Sequence, residues 1–377
     1  MKVKDICELI NGRAFKPTDW GSEGIPIIRI QNLNDPSASF NYYAGDYSPI
    51  HEVNDGELLF SWSGTPGTSF GAFRWYRGKG VLNQHIFRVL PKVKVDKEYL
   101  RYAFNGNLNS IIAKAHGGVG LQHITKKELD DIEVPIPCME KQLLIIGELK
   151  RIESVIDCRK QQLRYLDTLI KARFVEMFGD ETNPYNWPII NVEDIATVTV
   201  GVVIKPAQYY TDADHGVKAF RSLNVGEMCI KDNDWVYFSQ EGNDKNNKSQ
   251  LHENDLLIIR SGAPGVACVV TKQYEGCNAI DIIIARPDTD KIDPYYLCMY
   301  TNMPHGKRQI EEGTGGAAQQ HFNVGKYNKL RLMLPPIEKQ KQFSSFIAQI
   351  DKSKSVIQQA LAKDQLLFDS LMQQYFG

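Results

Sequence analysis

Glu140 to Phe178 reads EKQLLIIGELKRIESVIDCRKQQLRYLDTLIKARFVEMF, and its pattern decides the fold. The stretch holds no proline and a single glycine. Apolar residues fall at Ile145, Leu149, Ile152, Ile156, Leu163, Leu166, Ile170 and Met177, in steps that alternate four and three, with Arg159 and Arg173 in two gaps. That is a heptad pattern, by which a long helix buries one stripe. A second stripe near the end of the chain runs through Phe343, Ile347, Ile350, Ile357, Leu361, Phe368, Leu371 and Tyr375, with Lys354 and Asp364 in seam positions. Each helix of about 38 residues extends roughly 57 Å at 1.5 Å per residue. Two such helices separated by a globular segment are expected to bury their stripes against each other, antiparallel if the repeat is two-fold. The competing expectation is that each packs only on its own globular neighbour.

Working outward, the whole chain repeats. Leu58-Leu59-Phe60 and Ser63-Gly64-Thr65-Pro66-Gly67 return as Leu256-Leu257-Ile258 and Ser261-Gly262-Ala263-Pro264-Gly265, a shift of 198 residues. Gln122-His123, Glu140-Lys141-Gln142 and Phe178-Gly179 return as Gln320-His321, Glu338-Lys339-Gln340 and Phe376-Gly377 at the same shift. Nearer the start the shift drifts: Arg29-Ile30-Gln31-Asn32-Leu33 matches Arg221-Ser222-Leu223-Asn224-Val225 at 192, and Asp5-Ile6 matches Asp194-Ile195 at 189. The front section of each copy carries short apolar runs between turns, at Ile25–Ile30, Glu57–Trp62, Val81–Val89, Asp255–Arg260 and Asn278–Ala285, which read as strands. Asp96–Ala115 and Asp293–Ile310 read as one helix per copy, each opened by Asp. The expected fold class is α+β: two mixed α/β domains joined by two long helices in an antiparallel coiled coil, with a pseudo-two-fold internal repeat.

Composition sets bounds. Hydrophobic residues are 42% of the 377 and charged residues 24%, ordinary globular usage that excludes a mostly disordered or membrane-embedded chain. The 44 Lys+Arg balance 45 Asp+Glu, which argues against a free-standing basic nucleic-acid binder. Residues 180–335 alone carry 15 basic against 20 acidic side chains. The amino-terminal residues lack the apolar core of a signal peptide, and a cytoplasmic protein is expected. The seven cysteines form no Cys-x-x-Cys pair or zinc spacing, and read as reduced thiols.

The order globular–helix–globular–helix resembles the specificity subunit of type I restriction–modification enzymes. The carriers are Pro135-Ile136-Pro137 and Leu334-Pro335-Pro336 running into Glu-Lys-Gln, and the junction Phe174-Val175-Glu176-Met177-Phe178-Gly179-Asp180 followed by Asn183-Pro184-Tyr185-Asn186-Trp187-Pro188. The resemblance implies target-recognition domains at 1–137 and 180–335, a central spacer helix at 138–179 and a distal one at 336–377. It further implies double-stranded DNA as ligand, each domain reading half of a bipartite site. Two adenine-N6 methyltransferase subunits would dock on the helices, S-adenosylmethionine would sit on those partners, restriction subunits would join, and the chain itself would carry no catalysis, cofactor or metal. A rod of roughly 57 Å matches about 17 base pairs at 3.4 Å each, so spacing is a geometric property of the protein. The alternative class is a scaffold that binds only protein.

No enzymatic motif competes. Asn183-Pro184-Tyr185 lacks one proline of the amino-methyltransferase motif Asn-Pro-Pro-Tyr, and reads as a linker turn. The glycine loops Gly117-Gly118-Val119-Gly120 and Gly313-Thr314-Gly315-Gly316 are not followed by Lys-Ser/Thr, so neither is a P-loop. The candidate DNA contacts fall in two groups. The repeated ones are Ser63, Gly64 and Thr65, with Ser261 and Gly262, which read either as a plain turn or as a loop offering hydroxyl and N–H to phosphate. Arg29, Asn32, Arg221 and Asn224 read either as phosphate anchors or as bonds to their own domain. Gln122 and Gln320 read as adenine readers or, preferably, as structural, since readers should differ between domains with different targets. The divergent candidates are Trp62, Arg74, Tyr76, Arg77 and Lys79 in the first copy (with Trp75 among them) and Lys205, Lys245, Asn247, Lys248 and Arg260 in the second, with Tyr209 and Asn246 nearby.

Overall fold

The structure, a computed structural model, describes residues 1–65, 68–114, 116–118, 121–313 and 322–377. The chain forms two compact units, Met1–Lys160 with Gln358–Gly377, and Gln161–Ile357. The division falls inside both long helices, Met139–Phe178 and Ile337–Phe376, so each unit owns one front section and a part of each helix. No helix among the described residues is long and apolar enough to cross a membrane.

The first unit is built on a four-stranded antiparallel sheet of β1 (Cys7–Asn11), β2 (Leu58–Ser61), β3 (Gly71–Arg74) and β4 (Ile86–Pro91), in the order β1-β4-β2-β3. In the second unit β5 (Ala196–Val200), β6 (Leu256–Ile259), β7 (Ala267–Val269) and β8 (Ile282–Pro287) repeat that order as β5-β8-β6-β7. A second sheet in each unit contains one parallel pairing, Ile27 with Val81 and Ala219 with Asn278. β2 and β6 are buried at every position, which is why they read as continuous apolar runs.

The runs at 81–89 and 278–285 are each two strands, not one. Gly80–Leu82 and Ile86–Pro91 belong to different sheets, and so do Asn278–Ala279 and Ile282–Pro287. The chain changes sheet through a left-handed residue, His85 at φ 74° and Asp281 at φ 52°. A single positive-φ residue inside an apolar run leaves little trace in hydrophobic pattern. The strand at 25–30 likewise ends at Ile28, and Ile30–Asn34 turns into a short helix. Each expected front helix is also two: Lys97–Gly106 and Leu108–Lys114, then Pro294–Asn302 and Pro304–Gly313. In the second copy Pro304 forces Met303 into extended backbone (ψ 158°), breaking the helix there.

The long helices pair with each other, and each also packs on the globular sections, so the expectation of packing on the globular neighbour alone does not hold. Ile145, Ile146, Leu149 and Phe376 lie in the core of the first unit, and Ile170, Phe174, Phe178, Phe343 and Ile347 in that of the second. The helices also pair. In the first unit Tyr375 donates to Glu148 and Arg159 pairs with Asp364, equal steps in opposite directions, so the segments are antiparallel. In the second unit Lys354 meets Asp167 at 2.5 Å and Phe343 meets Phe174 at 5.4 Å, again antiparallel. Of the seam, Ile156 is buried, while Ile152, Leu163, Leu166, Ile350, Ile357, Leu361 and Phe368 are half-buried, as in a two-helix contact with no third layer. Arg159, Asp364 and Lys354 are therefore cross-helix partners; Arg173 pairs with Glu176 on its own helix at 2.8 Å and lies over the Phe346 ring of the other helix at 5.9 Å.

The repeated Glu-Lys-Gln has one working member. Gln142 is buried, accepting from the Asp96 N–H (3.0 Å) and donating to the Pro137 carbonyl (2.8 Å). Gln340 does the same with Asp293 N–H (2.8 Å) and the Pro335 carbonyl (2.7 Å). Asp96 and Asp293 in turn cap the front helices, accepting from Glu98 N–H at 2.7 Å and Tyr295 N–H at 2.9 Å. Each long helix is thus tied to its front helix through a glutamine and a cap.

Candidate nucleic-acid interface

In the first unit the repeated loops converge at one end of the four-stranded sheet. There β1 ends at Asn11, β4 begins at Ile86, and β2 hands over to Trp62, Ser63 and Gly64. Ser63 and Gly64 pair with His123 and Gln122 in a small second ladder, so the serine loop and the Gln-His strand meet. Ile124 N–H donates to the Trp62 carbonyl at 3.1 Å, and Phe322 N–H to the Arg260 carbonyl at 3.1 Å. Gly12 N–H donates to Ile86 and Gly201 N–H to Ile282, at 3.0 and 2.9 Å. The two ends have one backbone plan.

The groups they hold differ. Trp62 donates its indole N–H to Asn11 Oδ1 at 3.0 Å and packs on His85 (4.7 Å between ring centroids), Phe87 (5.8 Å) and His123 (6.3 Å). Burial, and then the neighbouring His123, hold the His85 imidazole below its usual pKa. In the second unit Arg260 Nη1 donates to Asp281 Oδ1 at 2.8 Å. Val203, Ile204 and Lys205 are exposed in the loop that follows β5, with Lys205 at φ 45° ahead of Pro206.

The loop residues need correction. Ser63 and Gly64 are buried, so the Ser63 hydroxyl is not presented to a ligand. Gly64 sits at φ 147°, and a Cβ there would lie 2.3 Å from Ser69 Oγ; the glycine serves loop closure. Thr65 is exposed, its N–H donating to Ser69 Oγ at 2.7 Å. In the second copy Ser261 is half-buried and Gly262 is exposed at φ 84° with open space around it. Pro66 and Gly67, together with Gln320 and His321, lie outside the described residues, as does the Gln122 side chain.

Most of the expected arginine contacts are committed to their own domain. Asn32 and Asn224 are buried; Asn32 Nδ2 donates to Ser39 O at 3.1 Å and Asn224 Nδ2 to Asn233 O at 2.6 Å. Arg29 Nη1 donates to Asn41 Oδ1 at 2.8 Å with its guanidinium over Trp20, and Arg221 donates to the Asp234 carbonyl. Arg74 donates to Gly56 O (2.9 Å), and Arg77 to Asn32 O and Ala38 O (3.1 and 2.8 Å). Lys79 pairs with Glu52 at 2.9 Å and Lys245 with Glu241 at 2.6 Å, both on the surface. Tyr76, Lys205, Asn247 and Lys248 are exposed. Arg74 faces Leu58 at the far end of β2, so it does not join the sheet-end cluster. Asn11, His85 and Asp281 were not singled out by sequence, because nothing but the sheet crossing brings them to Trp62 and Arg260.

A frame used twice, with different groups held at the same place, defines a protein built from a duplicated domain. The profile of the type I restriction modification DNA specificity domain matches residues 1–167 and again 177–363. The type I restriction enzyme EcoBI specificity subunit of Escherichia coli is 21% identical over 407 residues, covering 100% of this chain and 85% of the relative. The MjaVIII specificity subunit of Methanocaldococcus jannaschii is 21% identical, covering 96% and 90%. Among solved structures, the type I S subunit from M. genitalium superposes with a TM-score of 0.53 at 13% identity, covering 100% of this chain and 95% of its own. A structure described for complex assembly and conformational transition of the type I R-M system gives 0.56 at 16% identity, covering 100% and 96%. The chain belongs to the type I restriction–modification DNA specificity family, as a specificity subunit that carries the domain twice.

Proposed function

We propose that each unit reads one half of a bipartite site in double-stranded cytoplasmic DNA, using the sheet end where the repeated loops meet. The paired helices set the number of unread base pairs between the halves and dock two adenine-N6 methyltransferase subunits. Those partners hold S-adenosylmethionine and flip the target adenine; this chain contributes no catalytic group, and restriction subunits join the assembled core. The observation that carries this reading is the duplicated sheet end, one backbone plan with Trp62 and His85 in one copy and Arg260 and Asp281 in the other. The near-zero net charge of −1 fits a subunit whose partners supply most phosphate contacts.

The test is co-expression with the cognate modification subunit, followed by mapping of methylated adenines across the host genome. A bipartite motif with a fixed gap is the expected result. Assembly without bipartite methylation would instead support a scaffold that binds protein alone. A companion measurement compares DNA affinity of the isolated chain with that of the complex; the isolated chain is expected to bind weakly.

A further inference from the structure

At two points where the copies correspond, they keep their chemistry as well as their backbone. Arg88 pairs with Glu57 at 2.8 Å and Arg286 with Asp255 at 2.8 Å. Asn105 Nδ2 donates to Ala72 O at 3.0 Å and Asn302 Nδ2 to Ala267 O at 2.9 Å. At the sheet end the frame is equally strict. A Cβ on Gly12 would lie 2.0 Å from Asn83 O, and one on Gly201 2.3 Å from Ala279 O, so in both units only glycine lets the strand approach the turn this closely. Yet within this frame a ring cluster in one unit stands where the other has an ion pair. Two domains that read different sequences must share what positions them and differ in what reads.

We propose that these are the specificity-determining pairs of the two units: Arg260–Asp281 hydrogen-bonds the edges of a G·C base pair, and Trp62–His85 makes an apolar contact with an A·T pair. The proposal rests on the bipartite DNA reading above. Both members of the ion pair reach solvent, the Arg260 side chain 18% and Asp281 43% exposed. A guanidinium donates to guanine O6 and N7, and a carboxylate accepts from cytosine N4. Asp281 also acts as a positioning residue, since its bond to Nη1 orients the guanidinium plane. In the first unit the indole N–H of Trp62 is already committed to Asn11. What remains of Trp62 to present is ring surface, which suits a thymine methyl, with His85 packed against it at 4.7 Å. A site that hydrogen-bonds its target rejects a wrong partner more steeply than an apolar site does.

The experiment uses the chain co-expressed with its modification subunit, with methylated motifs mapped and competition binding measured on matched and mismatched duplexes. Arg260→Ala is expected to lower discrimination at one G·C position of one half-site about tenfold to a hundredfold. Trp62→Ala is expected to relax one A·T position of the other half-site by a smaller factor. In each variant the half-site read by the unaltered unit is the internal control for folding. Arg260→Lys and Asp281→Asn serve where the alanine variant does not accumulate. Asp281→Asn is expected to raise affinity for mismatched duplex while lowering discrimination, whereas loss of a merely structural contact would weaken all duplexes alike. Unchanged motifs in the Arg260 and Trp62 variants, or relaxation of both half-sites together, would overturn the proposal. A wild-type complex that lays down no bipartite methylation would overturn the parent reading instead.

Discussion

At the residue scale, the glutamines beneath the long helices show how a polar group can be structural. Gln142 and Gln340 each join a capping Asp N–H to a Pro carbonyl while excluded from water. Replacing either with Ala leaves a backbone donor and acceptor without partners, buried at Gln340 and half-buried at Gln142, at a cost of up to about 1–3 kcal/mol for each group left unsatisfied. Gln142→Ala and Gln340→Ala are therefore expected to lower the denaturant midpoint clearly, while Glu140→Ala and Glu338→Ala, at exposed positions, leave it nearly unchanged. Equal effects of the Gln and Glu substitutions would contradict this account. The repeat made the Glu-Lys-Gln motif visible in the sequence, yet spacing alone gives its three members equal weight. The same limit explains the arginines: the residue type at 74 and 77 suits DNA, but the carbonyls of Gly56, Asn32 and Ala38 that capture them come from distant segments. Side-chain chemistry was legible, whereas the partners were set by topology.

At the element scale, the helices were the most legible part, because a heptad stripe is a local pattern that burial confirms in each unit. The sheet crossings at His85 and Asp281 were illegible, since each is a one-residue left-handed step inside an apolar run. Two predictions belong here. Arg159 and Asp364 pair across the helix seam with side chains 31% and 23% exposed. Asp364→Arg should set like charges together and destabilise the first unit; adding Arg159→Asp should restore it, with a coupling of about 0.5–1 kcal/mol after solvent screening. A double-mutant cycle in thermal unfolding measures it, and additive effects would refute the pairing. The second concerns His305, which packs on Tyr300 (4.3 Å) and Phe174 (6.3 Å) in the second unit. Burial holds its pKa below the usual 6.5, outweighing the upward pull of Glu181 and Asp180, with Arg308 adding to the depression. The unfolded chain therefore takes up this proton first as pH falls. The contribution is complete above pH 6.5 and is lost as pH drops below it toward the depressed value. His305→Phe keeps the ring contacts and removes the proton site, so the loss of Tm between pH 7.5 and 5.5 should be smaller than in the parent chain; identical slopes would exclude His305 as the source.

At the scale of the whole molecule, the internal repeat was readable because its back sections keep one register, and the family profile matches both copies. The bearing of the repeat on spacing can be tested through the ion pairs that fix helix register. Arg159 faces Asp364, and Asp167 faces Lys354. Removing residues 160–166 from the first long helix and 357–363 from the second takes one heptad from each strand of the antiparallel seam and leaves both ion pairs in place. A heptad is about 10 Å of helix, close to three base pairs of duplex. In complex with the modification subunit, the shortened chain is expected to methylate the same two half-sites with about three fewer base pairs between them. Deleting the heptad from only one helix shifts the facing charges out of register, and should cost stability without defining a new gap. An unchanged gap after the matched deletion would separate spacing from the helices. Altered half-site sequences would instead show that the seam helps shape the reading surfaces, because the ends of both helices lie in the cores from which those surfaces are built.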